Sequence, residues 1–117
     1  MPSYSKQLLS GSTNGKGIKV VATATAGTLI HTAVAGTSPE DEIWLYAHNT
    51  SASSVKLTLE WGGVASPDDH IEINIGAEGT GLILVAPGIL LQNGLVVRAF
   101  AGTANVINIF GYVNRIV

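Results

Sequence analysis

The residues with the means to do chemistry fall in a few short stretches: Ser66-Pro67-Asp68-Asp69-His70, Glu40-Asp41-Glu42, and the row Trp44, Tyr46, His48. Two carboxylates beside an imidazole carry the donors for a cation. Asp-Asp after proline more often shapes a turn, and no carboxylate-rich calcium-loop spacing surrounds the pair. The reading is a turn and no metal. Glu40-Asp41-Glu42 reads as a solvated loop entering a strand. Glu60, Glu72 and Glu78 become a hydrolase pair only if folding brings two of them together across a cleft. No Gly-x-Ser-x-Gly is present, and no Ser-x-x-Lys stands in a catalytic context. Gly11 to Gly17, GSTNGKG, lacks the P-loop ending in Lys-Ser or Lys-Thr and precedes a strand rather than a helix. Asn49-Thr50-Ser51 matches the glycosylation sequon by coincidence, since no secretory signal accompanies it. The expectation is a protein without enzymatic activity or cofactor.

Trp44 and Tyr46 have two readings. They pack as a second core layer with their polar atoms at its edge, or they form a surface aromatic stripe for a protein contact or for stacking on sugar. His31, alone among apolar residues, reads as a packed or half-exposed strand histidine.

The elements that must position these groups are strands. From Glu42 to Trp61, Ile43, Leu45 and Ala47 alternate with Trp44, Tyr46 and His48, and then Val55, Leu57, Leu59 and Trp61 alternate with Lys56, Thr58 and Glu60. Paired across the loop Thr50 to Ser54, they set Leu45 opposite Leu59, with Lys56 and Glu60 on the polar face. Ile18 to Thr25 and Thr28 to Val34 read as strands joined at Ala26-Gly27, with glycine supplying a positive φ. His70 to Ile75 alternates cleanly. Thr80 to Ala86 is apolar on both faces, Pro87-Gly88 reads as a turn, and Asn93-Gly94 carries the signal of a two-residue hairpin. Asn105 to Val117 is a last strand, central or covered. Short strands at regular spacing without any helical window predict an all-β fold, an antiparallel β-sandwich of jelly-roll type, with an immunoglobulin-like topology as the alternative.

Composition bounds the rest. The chain of 117 residues makes one domain, able to bury about two-thirds of its unfolded surface. It has no cysteine, which fits assembly in a reducing cytoplasm. Charged residues are 12% of the chain, low enough that part of the uncharged surface is expected to be covered by another chain. A net charge of −2 argues against nucleic acid as a partner. The apolar region from Gly81 to Val97 is too interrupted to span a membrane, and no signal peptide core precedes it. Residues 1–17 are rich in Ser, Gly and Asn, with Tyr4, Leu8 and Leu9 as their few apolar side chains. They read as an N-terminal arm that is either solvated or ordered on a neighbouring subunit, ahead of a sandwich domain at 18–117. Lys6 lies in the arm, and no acid occurs before Glu40.

The stretches SKQLLSGSTNGKGIKV, ATATAGTLIHTAVAGT, DEIWLYAHNTSASSVKLTLEWGG and LVVRAFAGTANVINIFGYVNRI resemble small structural proteins of tailed bacteriophages. More narrowly, the chain is similar to head decoration, or cement, proteins, including those of cyanophage-like viruses. The resemblance implies a β-sandwich, often a homo-trimer, on the outer surface of the virion capsid, where it binds the major capsid protein after assembly in the host cytoplasm. On that basis Tyr4, Lys6, Leu8 and Leu9 are candidates for a capsid-binding arm. Arg98, Phe110 and Tyr112 are candidates for the oligomer interface. Trp44 and Tyr46 are the surface aromatic candidates. The alternative is a receptor- or carbohydrate-binding module of a phage tail or fibre.

Overall fold

The computed structural model describes residues 2–117. Nine strands follow in order: β1 (Tyr4–Leu8), β2 (Ile18–Lys19), β3 (Thr28–Thr32), β4 (Glu40–Asn49), β5 (Val55–Trp61), β6 (His70–Ile75), β7 (Ile83–Leu91), β8 (Val96–Ala101) and β9 (Ile107–Ile116). One five-stranded antiparallel sheet, sheet A, has the order β1-β9-β4-β7, with β2 also on β9; a four-stranded one, sheet B, has the order β3-β8-β5-β6. The pairings nest: β5 with β6, β4 with β7, β3 with β8, and β2 with β9. The chain behaves as one long ribbon of paired strands folded over itself. The further pairs β4 with β9 and β5 with β8 close each sheet.

Alternation explains why these segments make this sandwich. Along β4, residues Asp41, Ile43, Leu45, Ala47 and Asn49 are buried, and the residues between them are half-buried. The facing sheet contributes Leu57 and Leu59 of β5 and Val97, Ala99 and Ala101 of β8 to the same core. Leu45 and Leu59 are both fully buried in that core, but from opposite sheets. The expected β4–β5 ladder does not form, because the two strands lie in different sheets. A period of two states which side chains go inward; it does not choose between a neighbouring strand and the opposite sheet. The crossing is held by Asn49, whose Nδ2 donates to Ser53 O at 2.7 Å and Ile75 O at 3.1 Å.

The same lesson holds at Asn93-Gly94. Both residues have the positive φ expected of that turn, 63° and 67°, yet β7 and β8 on either side enter different sheets. Pro87-Gly88, expected as a turn, instead lies inside β7, where the register slips between Ile43 and Trp44 and again between Leu45 and Tyr46. Proline is tolerated because β7 is an edge strand. At Gly27 it is space rather than φ that demands glycine: a Cβ there would lie 2.5 Å from Ala99 O. The strand expected over Ile18 to Thr25 is regular only at Ile18–Lys19.

Residues 1–17, set apart by composition as an arm, hold β1 and part of the core. Met1 lies outside the described residues. Tyr4 to Leu8 pairs antiparallel with Ile116 to Tyr112 of the same chain. Leu9 is 2% exposed in the sandwich core, not against a neighbour, while Leu8 remains exposed. Leu9→Ala is therefore expected to lower unfolding free energy by about 2–5 kcal/mol in urea denaturation, the range for emptying a buried leucine site; a purely solvated arm would show almost no change.

Candidate interaction face

Three constellations have the composition of chemistry, and each is occupied by internal bonds. Ser10, His31 and Asp41 come together between the sheets. Ser10 N–H donates to His31 Nδ1 at 3.0 Å, which leaves Nε2 as the protonated nitrogen, donating to Asp41 Oδ2 at 2.8 Å. Arg115 donates to both carboxylate oxygens of Asp41, from Nε at 2.8 Å and Nη2 at 3.0 Å, and Val34 N–H adds a bond at 3.0 Å. His31 and Asp41 are fully buried, and Ser10 Oγ accepts from Thr32 N–H at 2.7 Å. The arrangement has a triad's residue types, but Ser10 meets His31 through its backbone N–H, and its exposed side-chain hydroxyl is bonded to Thr32 N–H instead.

Burial pushes the Asp41 carboxyl up, but the hydrogen bonds from Arg115 and His31, the Arg115 charge and the Val34 N–H outweigh it and hold Asp41 below the ordinary carboxylate value. Arg115, bonded to Asp41, is raised above its own ordinary value and stays charged.

Glu60, expected on a solvated face, is fully buried. Residues 22–27 fold over the outer side of sheet B, and Thr25 Oγ1 and Gly27 N–H donate to its two oxygens at 2.8 and 2.6 Å. His70 Nε2 stands 3.7 Å from Glu60 Oε2, its ring edge-on to Phe100. Arg98 Nη1 reaches Gly27 O at 3.4 Å. Glu72 lies in solvent with Lys56 Nζ at 3.0 Å. The Asp69 carboxylate closes its own turn by accepting Ala65 N–H at 3.1 Å. Asn49 of the sequon is buried with both ends of its amide bonded. Among the described residues, no group of three or more His, Asp or Glu is placed to hold a metal ion.

The largest unassigned feature is the outer face of sheet A. Strand pairing lays its side chains in rows across β1, β9, β4 and β7. One row is Leu8, Tyr112, Trp44 and Pro87; the next is Phe110, Tyr46 and Leu84. On the other side run Lys6, Asn114, Glu42 and Leu90, then Tyr4, Ile116 and Glu40. Tyr4 is 66% exposed, Leu8 58%, Leu84 46%, Leu90 48% and Phe110 38%. This concentration of exposed apolar side chains on a low-charge chain makes the face the candidate for an interaction surface.

Within it the aromatic rings are packed against each other. Trp44 and Tyr112 stack with centroids 6.4 Å apart and planes 11° from parallel. Lys6 Nζ sits 4.9 Å from the centroid of Tyr112. The Trp44 ring lies close over Gly88, where a Cβ would come within 2.9 Å of it, and its Nε1 donates to Glu42 Oε1 at 2.9 Å. Phe110 covers Gly17 in the same way, at 2.7 Å.

The fold thus gathers Tyr4, Lys6, Leu8, Trp44, Tyr46, Phe110 and Tyr112 on one face. It separates Leu9, which is core, and Arg98, which serves the loop over sheet B and so cannot share a surface with Phe110 and Tyr112. Leu84 and Leu90 complete the face; Leu84 was hidden in Thr80 to Ala86, a run that reads as buried on both sides, and Leu90 lay beyond the turn expected at Pro87-Gly88. The signal was Pro87: a proline inside a strand marks an edge, and an edge strand exposes one side. Compared with protein-family models, curated proteins and solved structures, the chain matches none.

Because the folded Asp41 binds its proton more weakly than the unfolded chain does, its contribution to stability is fully present above about pH 4 and is lost as the pH falls through the folded value. Asp41→Asn is expected to cost about 2 kcal/mol or more at neutral pH and to flatten the acid limb of stability against pH, measured by urea unfolding across the acid range.

Proposed function

We propose that this protein is a structural virion protein that lies on the outer surface of a phage capsid and stabilises contacts between major capsid subunits. The observation that carries the reading is the outer face of sheet A: broad, apolar, and built on the two long central strands of the sheet, β4 and β9. Such a face fits contact with another protein surface. The sequence resemblance to decoration proteins supplies the partner class. The sandwich is proposed to be of jelly-roll type, a reading supported by nested strand pairs that fall alternately in one sheet and the other. Copies are proposed to act as oligomers on the shell.

The mechanism is mass action. A protein that binds the assembled shell and not its dissociated subunits stabilises the assembled state by its binding free energy. Apolar burial on the face provides that energy, while Lys6, Glu40 and Glu42 at its rim give orientation. A sugar-binding use of the same face fits less well. Tyr112 is engaged by Lys6 and Trp44, and Trp44 by Tyr112 and Gly88, so stacking surface is already committed within the sheet.

Leu84 is exposed on an edge strand, so Leu84→Glu should change stability by only about 0.5 kcal/mol. The same substitution should lower occupancy on capsids stripped of the wild-type protein by about tenfold or more, counted by quantitative mass spectrometry against the major capsid protein. Unchanged occupancy would remove this face from the contact, and measurable glycan binding by the wild type would favour a tail or fibre module.

A further inference from the structure

Each sheet has two edges, and an uncovered row of backbone N–H and C=O groups is a template for another strand. The four edges here are unequal. In sheet A the β7 edge is closed by Pro87, which has no N–H to offer, and by the bulges flanking it. Along β3 the edge is occupied from within: Gly11 N–H donates to Ile30 O at 2.9 Å, and Thr32 N–H donates to Ser10 Oγ at 2.7 Å. Among the described residues, the β1 and β6 edges remain.

Which groups these two edges offer follows from the ladders. Ser3 and Val117 exchange both backbone bonds, at 2.8 and 2.9 Å, so the bonds from β1 to β9 continue at Ser5 and Gln7. The backbones of Tyr4, Lys6 and Leu8 therefore point to the free edge. On β6, Trp61 N–H bonds Asp69 O at 2.8 Å, which places the ladder to β5 on Ile71, Ile73 and Ile75. His70, Glu72 and Asn74 point outward, with only the His70 N–H already taken, by Pro67 O at 3.1 Å.

Two rows of outward-facing residues thus match in length, and each carries its charge at the centre. We propose that β1 of one copy pairs antiparallel with β6 of a second copy, Lys6 opposite Glu72, Tyr4 opposite Asn74 and Leu8 opposite His70. The bonded N–H of His70 then falls at the end of the ladder, where its loss matters least. The side chains of β1 and β6 in this register belong to the outer faces of their sheets, so joining them keeps both cores on one side. Pairing β1 with another β1 about its centre would instead set Lys6 against Lys6, and β6 with β6 would set Glu72 against Glu72, both unfavourable. Glu72 and Lys56 are 54% exposed, so their present pairing is weak and yields readily to a new partner.

The contact uses different surfaces on its two sides. It therefore propagates from copy to copy, and a contact of this kind closes into a ring when the rotation between copies divides the circle; the closed form is the one proposed. Sheet A of each copy continues into sheet B of the next, leaving the outer apolar face of sheet A uncovered. The contact depends on no property of whatever the assembled copies bind.

Sedimentation velocity and equilibrium on the purified full chain, without capsids, test the proposal. Wild type is expected to associate into a closed oligomer. Lys6→Glu and Glu72→Lys should each weaken association by about tenfold or more, and combining them should restore most of it. Lys6→Pro removes an N–H that belongs to the free edge; it should abolish association while thermal unfolding keeps a cooperative transition. Lys56→Ala should leave association intact. A wild type that stays monomeric at millimolar concentration overturns the proposal. So do single charge reversals without effect, or a double reversal that stays dissociated while its circular dichroism matches wild type.

Discussion

A charged carboxylate taken out of water must find partners, and Asp41 finds them on both sheets. Arg115 comes from β9 beside it in sheet A, His31 from β3 in sheet B, and Val34 N–H from the chain that leads back toward β4. Removing any one of them leaves a buried polar group short of a bond, which costs more than the bond itself contributes. The network fixes the distance and angle between the sheets at one end of the sandwich. It also fixes the course of residues 9–11, since Ser10 N–H holds His31 Nδ1 and Leu9 follows β1 into the core.

Glu60 does a related job on the opposite side of the molecule. Its two oxygens hold residues 25–27 against the outer side of sheet B, with Arg98 meeting the same loop from β8. That cover makes the two outer faces unequal. Sheet B is partly roofed by its own chain and carries Lys56, Glu72 and Asn74 where it is open; among the described residues sheet A is touched only at one end of its outer face, by Gly17 against Phe110 and by Glu78 O on His48, and carries mainly aromatic and aliphatic side chains with Lys6, Glu42 and Asn114 among them. The two outer faces therefore differ in polarity and in how far their own chain covers them. Its sheet edges differ as well, closed at β7 by proline and bulges and at β3 by Ser10 and Gly11.

The candidate face was legible in part because its residues announce themselves singly. Trp44 and Tyr46 alternate with core residues on β4, and Phe110 and Tyr112 do so on β9, so their placement on a non-core side follows from period alone. That Tyr4, Lys6 and Leu8 belong beside them is not in the local pattern. Their strand is short and polar, and only its pairing with Ile116, Asn114 and Tyr112 brings them there. Glu60 misled for the complementary reason. Alternation assigned it correctly to the outer side of its sheet, but whether an outer side is wet depends on a loop more than thirty residues away in sequence, at Thr25 and Gly27.

By itself the sequence determined an all-β chain, the inward set of β4, β5 and β9, the positive-φ turn at Asn93-Gly94, and a surface low in charge. These are local quantities, set by steric limits on φ and ψ and by an alternation of two. The tertiary structure alone decided that β4 and β5 face each other instead of pairing, that Leu9 is core, and that Asp41 and Glu60 are buried ions with partners. Each of those depends on which distant segment arrives beside a given strand. The free energy that selects it is shared among many contacts of wide sequence separation, and no window of neighbouring residues contains it.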